Sequence, residues 1–488
     1  MEDQISTLCS ATYSWCQFCP AFALVILAGL LLLADTFLPK LPKRSYALIG
    51  ALGSLVAAVY LLAGEEPNTF GFLACISTAL TLLLAFDYKK ICCESIAGKS
   101  NEEGTGEFYA LPLVACAGII CLTQACDLIM LFVSLEVITL TSYVLAGYFR
   151  RNRGSIEAGI KYLILGAMST GLLVFGAAWY FGMTGSFALN SSVVLHALNG
   201  GEVGSAAIAA GFLMSVALLF AGAFFKIGAA PMHVWIPDVY QGAPTPTTTF
   251  LAVASKTAGF AVLVLLMLPF LPFMQPGVQI AQMLVITFAI VAAATLLIGN
   301  LGAIGQSNAK RLLGYSSIGQ AGFILVFFLN PNNALGFLVC QYLLAYTLAT
   351  VAAFFAIALV RTQRGSEEIS AFRGLGKSNP RLAFLITVCF ASLAGVPLTF
   401  GFIAKMYTFI ALVDAIPTWS FLGWMLPVMI VCAAAGFYYY FKVIRAMYWE
   451  KQQPGDKALC VPVCTGAVLT VCAITLIVLG TLPLLLNL

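Results

Sequence analysis

Four ionisable side chains fall inside runs of sequence that are otherwise almost wholly apolar: Glu136, Lys226, Lys256 and Lys405. A charge at the centre of a bilayer costs roughly 2.5–3.5 kcal/mol on insertion scales, so such a residue is by default a functional one. Lys226 and Lys256 bracket the stretch FKIGAAPMHVWIPDVYQGAPTPTTTFLAVASK, which is broken by Gly228, Pro231, Pro237, Gly242, Pro244 and Pro246 and also carries His233 and Asp238. Irregular backbone at membrane depth persists only where protein or a water-filled cavity surrounds it. An ionisable group beside a helix break is therefore the pattern of an ion pathway.

Lysine suits that task. Burial lowers the pKa of a lysine and a nearby carboxylate raises it again, so a lysine whose carboxylate partner moves can bind and release a proton near neutral pH. Glu136 with Lys226 is the natural switch of this kind. Lys256 and Lys405 would continue a chain of protonatable sites, bridged by water and hydroxyls. Buried ionisable groups at about 3 kcal/mol each add up to a burden that pairing only partly relieves. The chain has no redox motif, nucleotide loop or metal cluster. Energy must come from an ion gradient or from a partner doing redox work; moving one charge against 100 mV takes about 2.3 kcal/mol, which either source supplies.

The elements that must hold these groups are legible from composition. Of 488 residues, 61% are hydrophobic and 9% charged. Each crossing needs about 20 apolar residues. Runs lie near 20–38, 45–63, 70–87, 108–125, 128–148, 157–182, 205–227, 247–269, 278–302, 310–329, 334–360, 382–412, 421–446 and 461–486. The expected fold is an all-α polytopic membrane protein of about fourteen transmembrane helices, with no room for a soluble domain. The acidic N-terminus before the first run speaks against a cleavable signal peptide.

With fourteen helices, the loops after odd-numbered ones share one side and hold twenty of the 24 Lys and Arg, among them Lys40, Arg151, Lys310, Arg311, Arg361 and Lys442. The opposite loops and both termini hold none and carry Glu2, Asp3, Glu65, Glu66, Asp127, Glu202 and Asp414. By the positive-inside rule the basic side is cytoplasmic and both termini lie outside, on the periplasmic side of a bacterial inner membrane. Most of the fifteen cysteines sit in apolar runs, where they act as small hydrophobes. Cys16 and Cys19 form a C-x-x-C at the outer end of helix 1, with Cys9 nearby; a disulfide there is open, and an unpaired structural role is favoured.

Glu136 lies near the middle of helix 5, with Thr139 and Tyr143 on its face at i+3 and i+7. Lys161 is only about one turn into helix 6 and sits i+4 from Glu157, so a functional role and a snorkelling surface lysine weigh equally. His196 falls in an outer loop, 183–204, and reads as surface. Helix 7 breaks at Gly228–Pro231, after Lys226; helix 12 breaks at Gly395–Pro397, before Lys405. Two discontinuous, antiparallel helices five crossings apart are what an inverted repeat predicts, with helices 4–8 and 9–13 as related halves. The chain then divides into an N-terminal three-helix segment (1–107), two half-channels (108–270 and 271–446) and a C-terminal helix (447–488). Tyr315, Ser316, Ser317 and Gln320 on helix 10, with Gln341, Tyr342, Tyr346 and Thr350 on helix 11, either orient water or bond helices together.

Three segments carry a family resemblance: DLIMLFVSLEVITLTSYVL, FKIGAAPMHVWIPDVYQGAPTPTTTFLAVASK and NAKRLLGYSSIGQAGF. The chain resembles, over nearly its whole length, the antiporter-like membrane subunits of respiratory complex I, which are related to Mrp-type cation/proton antiporters. Within them it looks most like the N-type subunits of the bacterial proton-pumping NADH:quinone oxidoreductase. The resemblance implies that Glu136 and Lys226 form the switching pair, that Lys256 and Lys405 carry the proton path, and that His233 assists near the break; it also favours a role for Lys161. It implies no redox cofactor in this chain, with NADH, FMN, iron–sulfur clusters and quinone held by partner subunits. The partners it implies are neighbouring antiporter-like and small membrane subunits and the lipid bilayer, not nucleic acid. A subunit of an Mrp-type antiporter is the alternative.

Overall fold

The computed structural model describes residues 15–38, 42, 44–64, 67–96, 106–149, 151–198, 206–332, 334–451 and 459–482. Lys40, Lys43, Lys99, Arg150 and Lys457 of the basic side, Glu2, Asp3, Glu65, Glu66 and Glu202 of the opposite side, and Cys9 lie outside the described residues, as do the side chains of Cys16, Lys89 and Lys90.

Every apolar run of the sequence is helical. The helices are α1 (Trp15–Phe37), α2 (Arg44–Ala63), α3 (Thr69–Ile96), α4 (Gly106–Thr123), α5 (Leu128–Ala146), α6 (Arg153–Thr184), α7a (Ala206–Ile227), α7b (Trp235–Gly242), α8 (Thr245–Met267), α9 (Gln279–Ile304), α10 (Ala309–Leu325), α11 (Leu335–Arg364), α12a (Pro380–Ala394), α12b (Phe400–Ala415), α13 (Met425–Trp449) and α14 (Val463–Thr481). Thirteen are long and apolar enough to cross a membrane alone, by length and composition. The remaining run, helix 12, consists of the half-helices α12a and α12b on either side of its break. The outer loop contains a short helix the sequence did not announce, Ser191–Leu198, which buries Val194 and Ala197 and leaves His196 exposed.

The most enclosed helices are α8, α10 and α11, whose apolar windows are 89%, 94% and 94% buried, against 28% for α1, α6 and α13. They form the centre, and the outer helices present their apolar faces outward (Val133, Leu140, Ile164, Phe175, Ile430 and Val431 among them). Apolar contact alone gives little preference for protein over lipid, so close backbone approach carries helix association. Small residues supply it: a Cβ on Gly299 of α9 would strike the backbone of Gly319 on α10.

Two pairs of local structures recur with the same register. Asp127 caps α5, and Leu128 N donates to Phe187 O while Leu189 N donates to Cys126 O, both at 3.0 Å. Asn308 caps α10, and Ala309 N donates to Glu367 O while Ile369 N donates to Ser307 O, both at 2.8 Å. Each of these loops follows a long helix closed by a glycine in the left-handed region, Gly185 (φ 68°) after α6 and Gly365 (φ 71°) after α11. The two helix breaks also match. Gly228 (φ 72°) and Gly395 (φ 87°) end α7a and α12a, with Ala229 N on Phe224 O (2.9 Å) and Val396 N on Ala391 O (3.0 Å). That i to i−5 bond is the six-to-one closure of a helix C-terminus, which requires the left-handed conformation a glycine adopts without strain.

A bulky residue at the α9–α10 contact is expected to force the helices apart. Overpacking costs about 1–3 kcal/mol. Gly299→Leu should lower the thermal stability of the purified chain, read by loss of soluble protein on heating. Gly182→Leu, where no atom lies within 4 Å of a new Cβ, should leave it unchanged.

Candidate functional site

Lys226 occupies the last turn of α7a, directly before the break. Lys226, Lys256 and Lys405 are 6%, 2% and 7% exposed, so all three ammonium groups are inside the protein. Lys226 donates to the Thr139 hydroxyl of α5. Thr139 donates in turn to Leu135 O at 2.6 Å, which fixes its oxygen to receive the lysine. Glu136 lies one turn earlier on α5 but is engaged elsewhere: its Oε1 accepts from Thr170 Oγ1 of α6 at 2.8 Å. The ion pairs among the described residues do not include one between Glu136 and Lys226. The structure brings the two residues to one neighbourhood and holds each on a threonine.

Lys256, midway along α8, donates to both the hydroxyl and the carbonyl oxygen of Ser317 on α10. Its Nζ lies 5.4 Å from the centre of the Tyr346 ring on α11, a distance at which the ring face favours a cation. Lys405, in the second turn of α12b, donates to Leu393 O and Ala394 O, both at 2.8 Å. Those are the last carbonyls of α12a. A helix end leaves them without intrahelical partners, and they carry the negative end of the helix dipole. Gly395 makes room for the lysine, since a Cβ there would come within 2.9 Å of Lys405 Cδ.

Polar groups fill the space between Lys256 and Lys405. Ser316, next to the Ser317 that holds Lys256, hydrogen-bonds the Tyr440 hydroxyl of α13. Gln320 Nε2 donates to Tyr440 Oη and to Leu393 O, both at 3.1 Å, and Leu393 O is also an acceptor for Lys405. Tyr342 donates to Gln320 Oε1. A cavity lined by Gln320, Tyr342, Tyr346, Ser392 and Lys405 has room for about one water.

The other sequence candidates sit apart from this line. His233 is half-buried in the break, where its carbonyl accepts from Ile236 N at 3.1 Å, and Pro231 beside it is exposed. Lys161 reaches the surface, paired with Glu157 and Asp238, each at 2.7 Å. Lys310 corrects the sequence reading. Counted there among the basic loop residues, it is fully buried in the first turn of α10. Thr170 and Tyr440 were missed as well; each stands beside another polar residue of its helix, Ser169 and Tyr439, and the packing of a neighbouring helix is what singles it out.

Residues 125–431 match the family described as NADH:quinone oxidoreductase/Mrp antiporter, TM. NADH-quinone oxidoreductase subunit N of Brevibacillus brevis is 33% identical over 497 residues, covering 97% of this chain and 94% of that protein. A chain of respiratory complex I from Thermus thermophilus with bound aureothin shares the fold at a TM-score of 0.74 and 29% identity, over 96% of this chain and 98% of that one. A chain of the Mrp complex from Dietzia sp. also reaches 0.74, at 19% identity over 96% of this chain and 95% of that one, a likeness of fold alone.

Gly395→Ala is expected to displace Lys405 and to cut proton flux severalfold in vesicles carrying the protein in its complex. Gly277→Ala imposes similar backbone strain (φ 94°) with no atom within 4 Å of the new Cβ, and should leave the flux intact.

Proposed function

The chain belongs to the NADH:quinone oxidoreductase/Mrp antiporter transmembrane family, among its NADH-quinone oxidoreductase subunit N members, and from that premise we propose that it moves protons by way of Glu136, Lys226, Lys256 and Lys405. It is a multi-pass membrane subunit whose translocation is driven by electron transfer from NADH to quinone in partner subunits. Those partners hold NADH, FMN, iron–sulfur clusters and quinone. The observation that carries the proposal is the burial of three lysines, each resting on neutral oxygens.

A hydroxyl or carbonyl acceptor stabilises an ammonium without locking it, whereas a buried carboxylate partner would hold the proton against release. The chemistry of the linking groups sets the route. Hydroxyls donate and accept, so Thr139, Ser316, Ser317 and Tyr440 can pass a proton on. The Gln320 amide cannot, because both its N–H bonds and its oxygen are occupied and an amide does not exchange protons near neutral pH. Gln320 therefore orients its neighbours, and transfer to Lys405 runs through the cavity beside Tyr346, where one water bridges the gap. Glu136 supplies the charge that raises or lowers the proton affinity of Lys226 as it moves between Thr170 and the lysine. His233 assists at the break.

The same reading extends to the halves. Residues 108–270 and 271–446 are related by inversion, with 1–107 and 447–488 flanking them. The matched loop registers after α6 and α11 and the matched closures at Gly228 and Gly395 support this. The chain lies in the cytoplasmic membrane of a bacterium, basic loops inside and both termini on the periplasmic side, on the strength of the positive-inside rule.

The test uses inside-out vesicles holding the assembled complex. NADH oxidation drives proton uptake, and Lys226→Ala lowers it by at least about tenfold. Lys226→Arg, which keeps a charge but cannot release its proton, should lose as much as the Ala variant; a clearly milder loss in Arg would speak for a charge-holding role and against proton exchange at that site. Gradient-driven Na⁺ exchange without NADH would favour the Mrp-type reading. Full pumping and quinone reduction in both Glu136→Ala and Lys226→Ala would leave the chain a scaffold.

A further inference from the structure

The short half-helix α7b, which follows the break after Lys226, is held at two places by consecutive residues of α10. At its C-terminal end Lys310 donates to Ala243 O at 2.7 Å and lies 3.3 Å from Glu367 Oε1. Glu367 also binds Arg361 of α11, so this end is tied into the second half of the chain. One turn from there Asp238 is shared: its Oδ2 accepts from Lys161 Nζ of α6 at 2.7 Å and its Oδ1 from Arg311 NH1 at 2.8 Å. Arg311 also donates to Gln241 Oε1 at 3.0 Å.

The two holds differ in what it takes to release them. Lys310 is 0% exposed and Glu367 13%, so parting them would strand charge away from water. Lys161, Asp238 and Arg311 are 41%, 35% and 33% exposed, so water takes up either charge and parting them is easy. The buried face of α7b is packed as well, with Trp235 donating to Phe225 O at 3.1 Å, so the motion open to α7b is a small shift about its fixed end, allowed by the irregular 228–234 segment leading into it. What it would move is the setting of Lys256. The Tyr240 hydroxyl of α7b lies 3.3 Å from Ser317 Oγ, and that same hydroxyl oxygen accepts from Lys256.

We propose that Asp238 and Lys310 are positioning residues for Lys256: Lys310 is the fixed pivot of α7b, and Asp238 is its latch, released from Lys161 and Arg311 to let Tyr240 withdraw from Ser317. The latch lies on the face that carries the basic loops. Its opening therefore connects that face to the central lysine. This rests on Lys256 carrying protons, and its failure can be told apart from the failure of that reading.

The experiment places cysteines at both sides of the latch, K161C with D238C, in the assembled complex, and joins them with a short bis-thiosulfonate cross-linker that reductant cleaves. Each single-cysteine variant and the unsubstituted complex receive the same reagent as controls. The cross-linked complex should lose at least about fivefold of its proton uptake per NADH oxidised, and dithiothreitol should restore it. Equal uptake with and without the cross-link overturns the latch. Asp238→Asn and Asp238→Glu decide the case if the double variant does not assemble. Asp238→Asn should keep NADH oxidation while losing only part of its proton uptake, as the double-cysteine variant does before cross-linking, and Asp238→Glu should recover it; an Asn variant that pumps normally, or a Glu variant no better than Asn, overturns the proposal. Normal pumping in Asp238→Asn beside failed pumping in Lys226→Ala would discard the latch and leave the proton path standing.

Discussion

Three buried ammonium groups rest on neutral oxygen atoms, and the rest of the architecture follows from that constraint. A lysine in the middle of an apolar bundle needs acceptors, and ordinary helices offer few because their carbonyls are already bonded within the helix. The chain meets the need in two ways. Hydroxyls on facing helices receive Lys226 and Lys256. A broken helix exposes the carbonyls of its own end to Lys405. Lys310 uses the second device too, on Ala243 O at the end of α7b. The breaks are thus sources of hydrogen-bond acceptors at a depth where backbone is otherwise closed.

Holding cations this way requires a rigid frame. The acceptors of Lys256 and Lys405 come from α10 and α12a, and the frame is set by the enclosed helices α8, α10 and α11. Close approach at glycine keeps that frame tight, as at Gly299 and Gly319. The polar line from Ser316 through Tyr440 and Gln320 to Leu393 O joins three helices, α10, α13 and α12a, so a small displacement of any one would break it. The half-helix α7b differs in that its hold at Asp238 is half-exposed.

Much of this was legible in the sequence. All fourteen apolar runs became helices or paired half-helices, because a run of that length and hydropathy has few other fates. Both breaks could be read because proline removes a donor and glycine tolerates the left-handed turn, and Gly228 and Gly395 indeed have positive φ. Thr139 could be placed by helical periodicity on the face of Glu136. What could not be read depends on which helices meet. Nothing in the sequence around Thr170 marks it as the partner of Glu136, and Tyr440 is one of three consecutive tyrosines. Lys310 looks like any loop lysine until α7b and the 365–368 loop close over it. Lys161, equally shallow, stays half-exposed because only Glu157 and Asp238 reach it.

The most direct measurement is a density map of the intact complex, sharp enough to show ordered water. It should place the Nζ atoms of Lys226, Lys256 and Lys405 on hydroxyl or carbonyl oxygens, with a water beside Tyr346 and Lys405. Finding each lysine instead reaching lipid headgroups or bulk solvent, or each clamped to its own carboxylate, would contradict the idea that these cations are kept dry and loosely held so that protons pass between them.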